Sequence, residues 1–182
     1  MHVRSWLASL WLAIAPMAGV LAEEPAVAPA VPAVPSPKCA GADYHAFDFQ
    51  IGEWVLTDSE GNPGGVIRNT AILGGCAIAE DYSDEASGSR GASISAWDPA
   101  TRTWKQYWVS NGGWTLLLEG QCHDDRCVLT GVLPNVDTGK PQQQRATWFV
   151  GDDGKVRRQL WEQSDDGVHW HSHFDASYRP LR

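Results

Sequence analysis

From residue 52 to residue 182 this chain is cut at short, even intervals by clusters of turn-forming residues. "GEWVLTD" is followed by "SEGNPGG", "VIRNTAIL" by Gly74-Gly75 and "CAIAEDY", and "GASISAW" by "DPATR" and "TWKQYWVS". Asn111-Gly112-Gly113 turns into "WTLLLEG", and "CVLTGVL" passes through "PNVDTGKP" to "QQRATWFV". "GDDG" leads to "KVRRQLWEQ", and "SDDG" to "VHWHSHFDASY". Runs of this length, rich in β-branched and aromatic residues and bounded by Asp, Asn, Gly and Pro, form strands rather than helices. Consecutive strands joined by short turns pair with their neighbours in sequence. Such a meander has two bare edges unless it closes. The expected fold is therefore all-β: an antiparallel up-and-down closed barrel of about 8–10 strands, with room for one small ligand inside. "YHAFDF", ahead of the first strand, is expected to form a short helical plug or lid.

The segments before the strands read differently. "MHVRSWLASLWLAIAPMAGVLAEE" has a basic start at Arg4, an apolar run broken by Pro16, and the small-residue tail Val20-Leu21-Ala22. That is the pattern of a secretory signal peptide (residues 1–22) cleaved near Ala22, with an uncleaved anchor as the competing reading. The run is short for a membrane span, so no membrane contact is expected of the mature form. Residues 23–38, "EEPAVAPAVPAVPSPK", form a Pro/Ala/Val linker that cannot bury a core. The barrel domain is then 39–182, and the protein is expected to be periplasmic or secreted. Export makes disulfides the natural state of its 4 cysteines. Cys122 and Cys127 flank the turn "HDDR" and suit a bond across a hairpin, which leaves Cys39 to pair with Cys76. A metal site at Cys122, His123 and Cys127 is the alternative.

Removing Arg4 from the 14 Lys+Arg leaves 13 against 22 Asp+Glu, a net charge of −9 for the mature chain. With no basic stripe to offset it, this charge argues against nucleic acid as a partner. Two of the 10 tryptophans lie in the signal segment, leaving Trp54, Trp97, Trp104, Trp108, Trp114, Trp148, Trp161 and Trp170 in one small domain. They either fill the barrel or line a cavity in it, and each indole N–H needs a destination. Trp104, Gln106 and Trp108 share one face of a strand, as do Gln159 and Trp161. Arg145 and Trp148 have opposite parity, so at most one of them points inwards. Trp104, Gln106, Trp108, Trp114, Arg145, Trp148, Gln159 and Trp161 are thus the candidate ligand-binding residues, mixing aromatic walls with a few polar groups.

"FDFQIGEW" (residues 47 to 54), "AILGGCAIAEDY", "WDPATRTWKQYWV" and "RRQLWEQSDDGVHWHSHFDASYR" together resemble a family of bacterial, often exported, domains of unknown function. They are described as DUF1579-like and are similar to lipocalin-type (calycin) barrels. The resemblance covers most of residues 43 to 180 and implies a fold and a ligand cavity rather than an activity. Gly52-Glu53-Trp54 matches the Gly-x-Trp that opens the first strand of calycin barrels. There the tryptophan closes one end and a late arginine stacks on it, which casts Trp54 and Arg179 as a structural pair. No C-terminal helix of the lipocalin kind follows the last strand.

The resemblance also raises the question of haem, which some similar barrels hold through a histidine on a late strand. In "HWHSHFD", His169, His171, His173 and Asp175 recur at a period of two and so share one strand face, opposite Trp170 and Phe174. The large apolar residues are expected to face the interior, placing the histidines outside, as a wet strand face or as a surface site for a divalent metal. With the row outside, His45 is the remaining haem candidate. No Gly-x-Ser-x-Gly elbow, phosphate-cradling loop or His-Glu-x-x-His is present. The pairs Asp124-Asp125, Asp152-Asp153 and Asp165-Asp166 fall in turns, where backbone bonding accounts for them. These features lead to the expectation of an exported small-molecule-binding protein, monomeric or homodimeric and without catalytic residues. A metal- or haem-dependent enzyme or sensor is one alternative, and a filled barrel serving as a structural or interaction module is the other.

Overall fold

A computed structural model describes residues 39–135 and 137–182 of the chain. The signal segment 1–22 and the linker 23–38 lie outside the described residues. A short helix α1 (Ala42–His45) and a 3-10 turn (Asp48–Gln50) precede ten strands. These are β1 (Gly52–Thr57), β2 (Pro63–Ile72), β3 (Ala77–Asp84), β4 (Ser89–Asp98) and β5 (Thr103–Ser110), followed by β6 (Thr115–Cys122), β7 (Arg126–Pro134), β8 (Pro141–Val150), β9 (Val156–Ser164) and β10 (His171–Pro180). Every strand pairs antiparallel with its sequence neighbours, and β10 returns to β1 to close the barrel. The ten runs expected from the turn pattern are these ten strands.

Alternation along each strand decides the interior. Trp54 and Leu56, Ile67 and Asn69, Ser93 and Ser95, Trp104 and Gln106, Leu116 and Leu118, Cys127 and Leu129, and Ala176 and Tyr178 are all buried at two-residue steps. Two inward glycines carry the wall where strands crowd. A Cβ on Gly120 would run into the Val128 carbonyl, and one on Gly131 into the Leu117 carbonyl. A side chain at either position would force β6 and β7 apart, which is why a tight barrel bend uses glycine there.

One end of the barrel is plugged by the segment before β1, as expected of "YHAFDF". Phe47 is 0% exposed. Its ring lies 5.5 Å from that of Trp104 and 5.0 Å from that of Trp148, edge-on in both cases. The Trp104 indole N–H donates to the Asp43 carbonyl at 3.1 Å, tying the plug to β5. Gly52 and Trp54 make a second closure. Gly52 has φ 144° and a Cβ there would meet the Trp54 ring at 2.9 Å, so the ring lies flat on the glycine backbone. The Trp54 N–H donates to the Gln50 carbonyl at 2.8 Å.

The expected stacking of Arg179 on Trp54 does not occur. Tyr178 is the inward residue at the end of β10, so Arg179 points outwards and is exposed, paired across the seam with Val55. Tyr178 itself approaches Trp54, with ring centroids 6.3 Å apart.

Both disulfides form as expected: Cys39–Cys76 and Cys122–Cys127. The second joins directly opposed residues of β6 and β7. The first ties the start of the plug to the residue before β3, across a sequence separation of 37 against 5 for the other. Loop-closure entropy then predicts that replacing Cys39 and Cys76 with alanine costs about 4 kcal/mol, and replacing Cys122 and Cys127 about 2 kcal/mol. Denaturant midpoints of the two double variants test this, and equal losses would refute the ordering.

Candidate functional site

The end opposite the plug is ringed by the turns β3–β4, β5–β6 and β9–β10, and it opens into a cavity of about 330 Å³. Ser89, Arg90, Asn111, Trp114 and His173 stand at its rim. Tyr82, Trp108, Trp161 and Phe174 form the next level, and Glu80, Gln106, Gln159, Trp148 and Leu118 its depth. Trp114 meets Trp161 edge-on at 5.9 Å, and Tyr82 lies 6.2 Å from Trp108. Trp108 holds its place because Gly91, its diagonal neighbour on β4, offers no Cβ; an alanine there would run into the indole ring. This is an aromatic covering a glycine across strands. The Trp108 indole nitrogen is buried with no hydrogen-bond partner among the described residues.

Of the residues expected to bind ligand, Gln106, Trp108, Trp114, Trp148, Gln159 and Trp161 line this cavity. Trp104 faces inwards but lies below it, 1% exposed against Phe47, and belongs to the plug. Arg145 is outside. It has the opposite parity to Trp148, donates to Glu162 at 2.9 Å, and its guanidinium sits 4.0 Å above the Trp170 ring. Trp170 is correspondingly on the outer wall and not in the core, because β10 begins only at His171, after the turn.

The histidine row does not survive as one face. The alternation slips between Ser172 and Phe174, where the β9–β10 register skips His173. A bulge of this kind puts two residues opposite one and re-aims a side chain. His173 turns to the cavity rim, 5.2 Å from the Trp161 ring and edge-on to it. Desolvation there, with the nearby His171 as the smaller cause, pushes its pKa below the usual histidine value. His171 stays exposed at the strand start. His169 lies in the turn, its Nδ1 2.7 Å from an Asp166 carboxylate oxygen. Asp175 is held by a two-pronged bond from Arg158, 2.7 Å at each oxygen, so it is not free to ligate. Among the described residues no group of three or more His, Cys, Asp or Glu side chains converges as a metal site. His45 is at the plug end, bonded to Asp48 at 2.7 Å, and does not line the cavity.

The acidic turns behave as expected of turns. Asp166 accepts the Val168 and His169 N–H groups, Asp153 accepts Lys155, and Asp125 binds the neighbouring Arg126.

The group missed in the sequence is Glu80. It is buried in the middle of β3, beneath the aromatic level, and its Oε2 accepts the Ser93 hydroxyl at 2.6 Å and the Gln106 amide at 3.5 Å. Desolvation raises its pKa from 4.5 to about 7, opposed by the Ser93 bond and assisted by the adjacent Asp81. The signal was present: Ile78, Glu80 and Tyr82 share one parity on "AIAEDY". Tyr178 completes the polar depth, donating to Gln159 at 2.6 Å. Burial foremost, and the Glu80 charge second, hold its phenol well above the ordinary value.

Scans against models of protein families and against curated proteins find no match to this chain.

Proposed function

We propose that this is an exported protein that binds a small molecule with an apolar or aromatic body inside its barrel. The observation that carries the reading is the cavity itself. Its volume of about 330 Å³ suits a small ligand, and four tryptophans and a few inward polar groups line it. A barrel serving only as a filled structural module would leave no open space among those tryptophans, whereas here a cavity remains between them. The ten-strand barrel is in keeping with the resemblance to DUF1579-like exported domains and to calycins, and that kinship is part of the proposal. Two disulfides fit an oxidising environment. Together with the signal-like first 22 residues they support a periplasmic or secreted protein, acting as a monomer or homodimer.

Trp108, Trp114 and Trp161 report on the cavity directly. Titrating the protein with a panel of small aromatic and aliphatic compounds should quench or shift its tryptophan emission saturably for at least one class. Tryptophan-to-phenylalanine replacement at position 161 should remove most of that response. A flat response across the whole panel would sink the carrier reading.

A further inference from the structure

The cavity has an asymmetry that an apolar ligand alone does not explain. At mid-depth, surrounded by Ile67, Leu116, Leu118 and Trp148, stands one carboxyl group, Glu80. Burying a carboxyl costs several kcal/mol unless its charge or its proton is matched. Within the protein, Glu80 has only neutral partners. Both donors, Ser93 and Gln106, go to Oε2, and no ion pair or second bond engages Oε1 among the described residues. The groups facing it from the surrounding strands are Ser93 and Ser95 on β4, Gln106 on β5, Gln159 on β9, Tyr178 on β10 and Asn69 on β2, none of them cationic. Asp81, its chain neighbour, points to the other face of β3.

Of the other charged or titratable groups of the cavity, Tyr82 stands at the aromatic level, its phenol held above the ordinary value by burial first and Asp84 second, and the rest lie at the rim. Arg90 is paired with Glu85 at 2.9 Å, and His173 is held towards its neutral form by desolvation. Above Glu80, Trp108, Trp114, Trp161 and Tyr82 present aromatic walls. Aromatic faces attract cations, more strongly where water is excluded. The whole chain, at net charge −8, draws cations towards it.

We propose that the ligand is a primary amine on an aromatic or short apolar body, bound as its ammonium cation with Glu80 as counter-ion and the tryptophans as its cage. The proposal rests on the cavity-binding reading above and names the ligand's chemistry. An ammonium donates to the unpartnered Oε1, while Ser93 and Gln106 hold Oε2 in place. Binding the cation ionises Glu80, so on the acid side of neutrality complex formation expels a proton from its carboxyl to solvent, and the ammonium keeps its own.

The test is calorimetric titration with phenethylamine, 2-phenylethanol and propylbenzene, three molecules of similar shape that differ in charge and polarity. Phenethylamine should bind at least tenfold more tightly than either neutral analogue at pH 8. Its affinity should fall as pH drops through 7, by up to about a hundredfold at pH 5, as Glu80 takes up its proton. At pH 6 the heat should vary with buffer ionisation enthalpy, reporting release of up to about one proton, and the neutral analogues should release none. Glu80→Gln should abolish the preference for the amine over the alcohol and the proton release. The three-ligand comparison on the unaltered protein stands even if that variant fails to fold.

Equal binding of amine and alcohol, or tighter binding of propylbenzene, would overturn the amine assignment and leave the carrier reading intact. No binding by any of the three would overturn the assignment as well, and the wider fluorescence panel would then decide the carrier reading separately.

Discussion

Phe47→Ala is expected to destabilise the protein by about 3–5 kcal/mol, the range for deleting a buried aromatic ring. The ring is fully enclosed between Trp104 and Trp148 and is the main apolar anchor of the segment that closes the barrel. Its loss leaves a cavity that the flanking strands cannot collapse into, because hydrogen bonds to both neighbours fix their spacing. In a domain of this size that corresponds to a fall in Tm of about 10 °C or more. Thermal melts monitored by near-ultraviolet circular dichroism check it. A shift of only one or two degrees would mean that the plug contributes little and that the barrel stands without it. The cavity lies on the far side of Trp148, so a folded variant should give the same response to the compound panel at low temperature as the unaltered protein.

Glu80→Gln is expected to change how stability depends on pH. The folded carboxyl has its pKa raised to about 7 from 4.5, and desolvation is the main cause. The folded state therefore holds a proton that the unfolded state has released between those values. Its stability contribution is complete below pH 4.5 and is lost as pH rises through about 7. The loss amounts to something on the order of 3 kcal/mol. His173 works in the opposite sense: its pKa is depressed on folding, so its contribution is present above the normal histidine range and fades as pH falls through it. The protein should accordingly be less stable at pH 8 than near pH 6. Glutamine, which keeps the shape and can still accept from Ser93, should flatten the decline above pH 6 and stabilise the protein at pH 8. Urea midpoints at half-unit steps of pH measure this directly. An unchanged slope between pH 6 and 8 would show that Glu80 is not the group responsible.

The strand order and most of the cavity could be read from the chain because both depend on a local signal that repeats. Turn residues mark where strands stop, and two-residue alternation then assigns Gln106, Trp108, Gln159 and Trp161 to one side. The misplacements have two causes. The expectations for Trp170 and His173 extend that alternation through the start of β10 and across a bulge, where a single extra residue inverts the parity beyond it. The stacking of Arg179 on Trp54 comes from the calycin resemblance, whereas alternation beside the buried Tyr178 already turns Arg179 outwards. The slip between Ser172 and Phe174 carries no composition of its own, unlike a glycine bulge, so only the register against β9 reveals it. Arg145 is instructive in another way. Its parity left it facing either way, and its partners Glu162 and Trp170 come from positions 17 and 25 residues further on, contacts that no local pattern contains. Glu80 was legible by parity but is of a residue type that is almost never buried alone. The general rule hid the exception, and the exception is the most chemically distinctive group in the cavity.

The return of β10 to β1 has a consequence for how the molecule comes into being. Each of the other nine pairings joins strands that are adjacent in sequence, so hairpins can zip one after another as the chain becomes available. The β1–β10 seam spans nearly the whole domain and rests on four residue pairs, Trp54–Pro180 to Thr57–Ser177. Until residues 171–180 arrive, β1 and β9 are both bare edges, open to pairing with any passing strand. A chain stalled or clipped before its last strand is thus an adhesive sheet, and the same residues that complete the ring also end its capacity to aggregate.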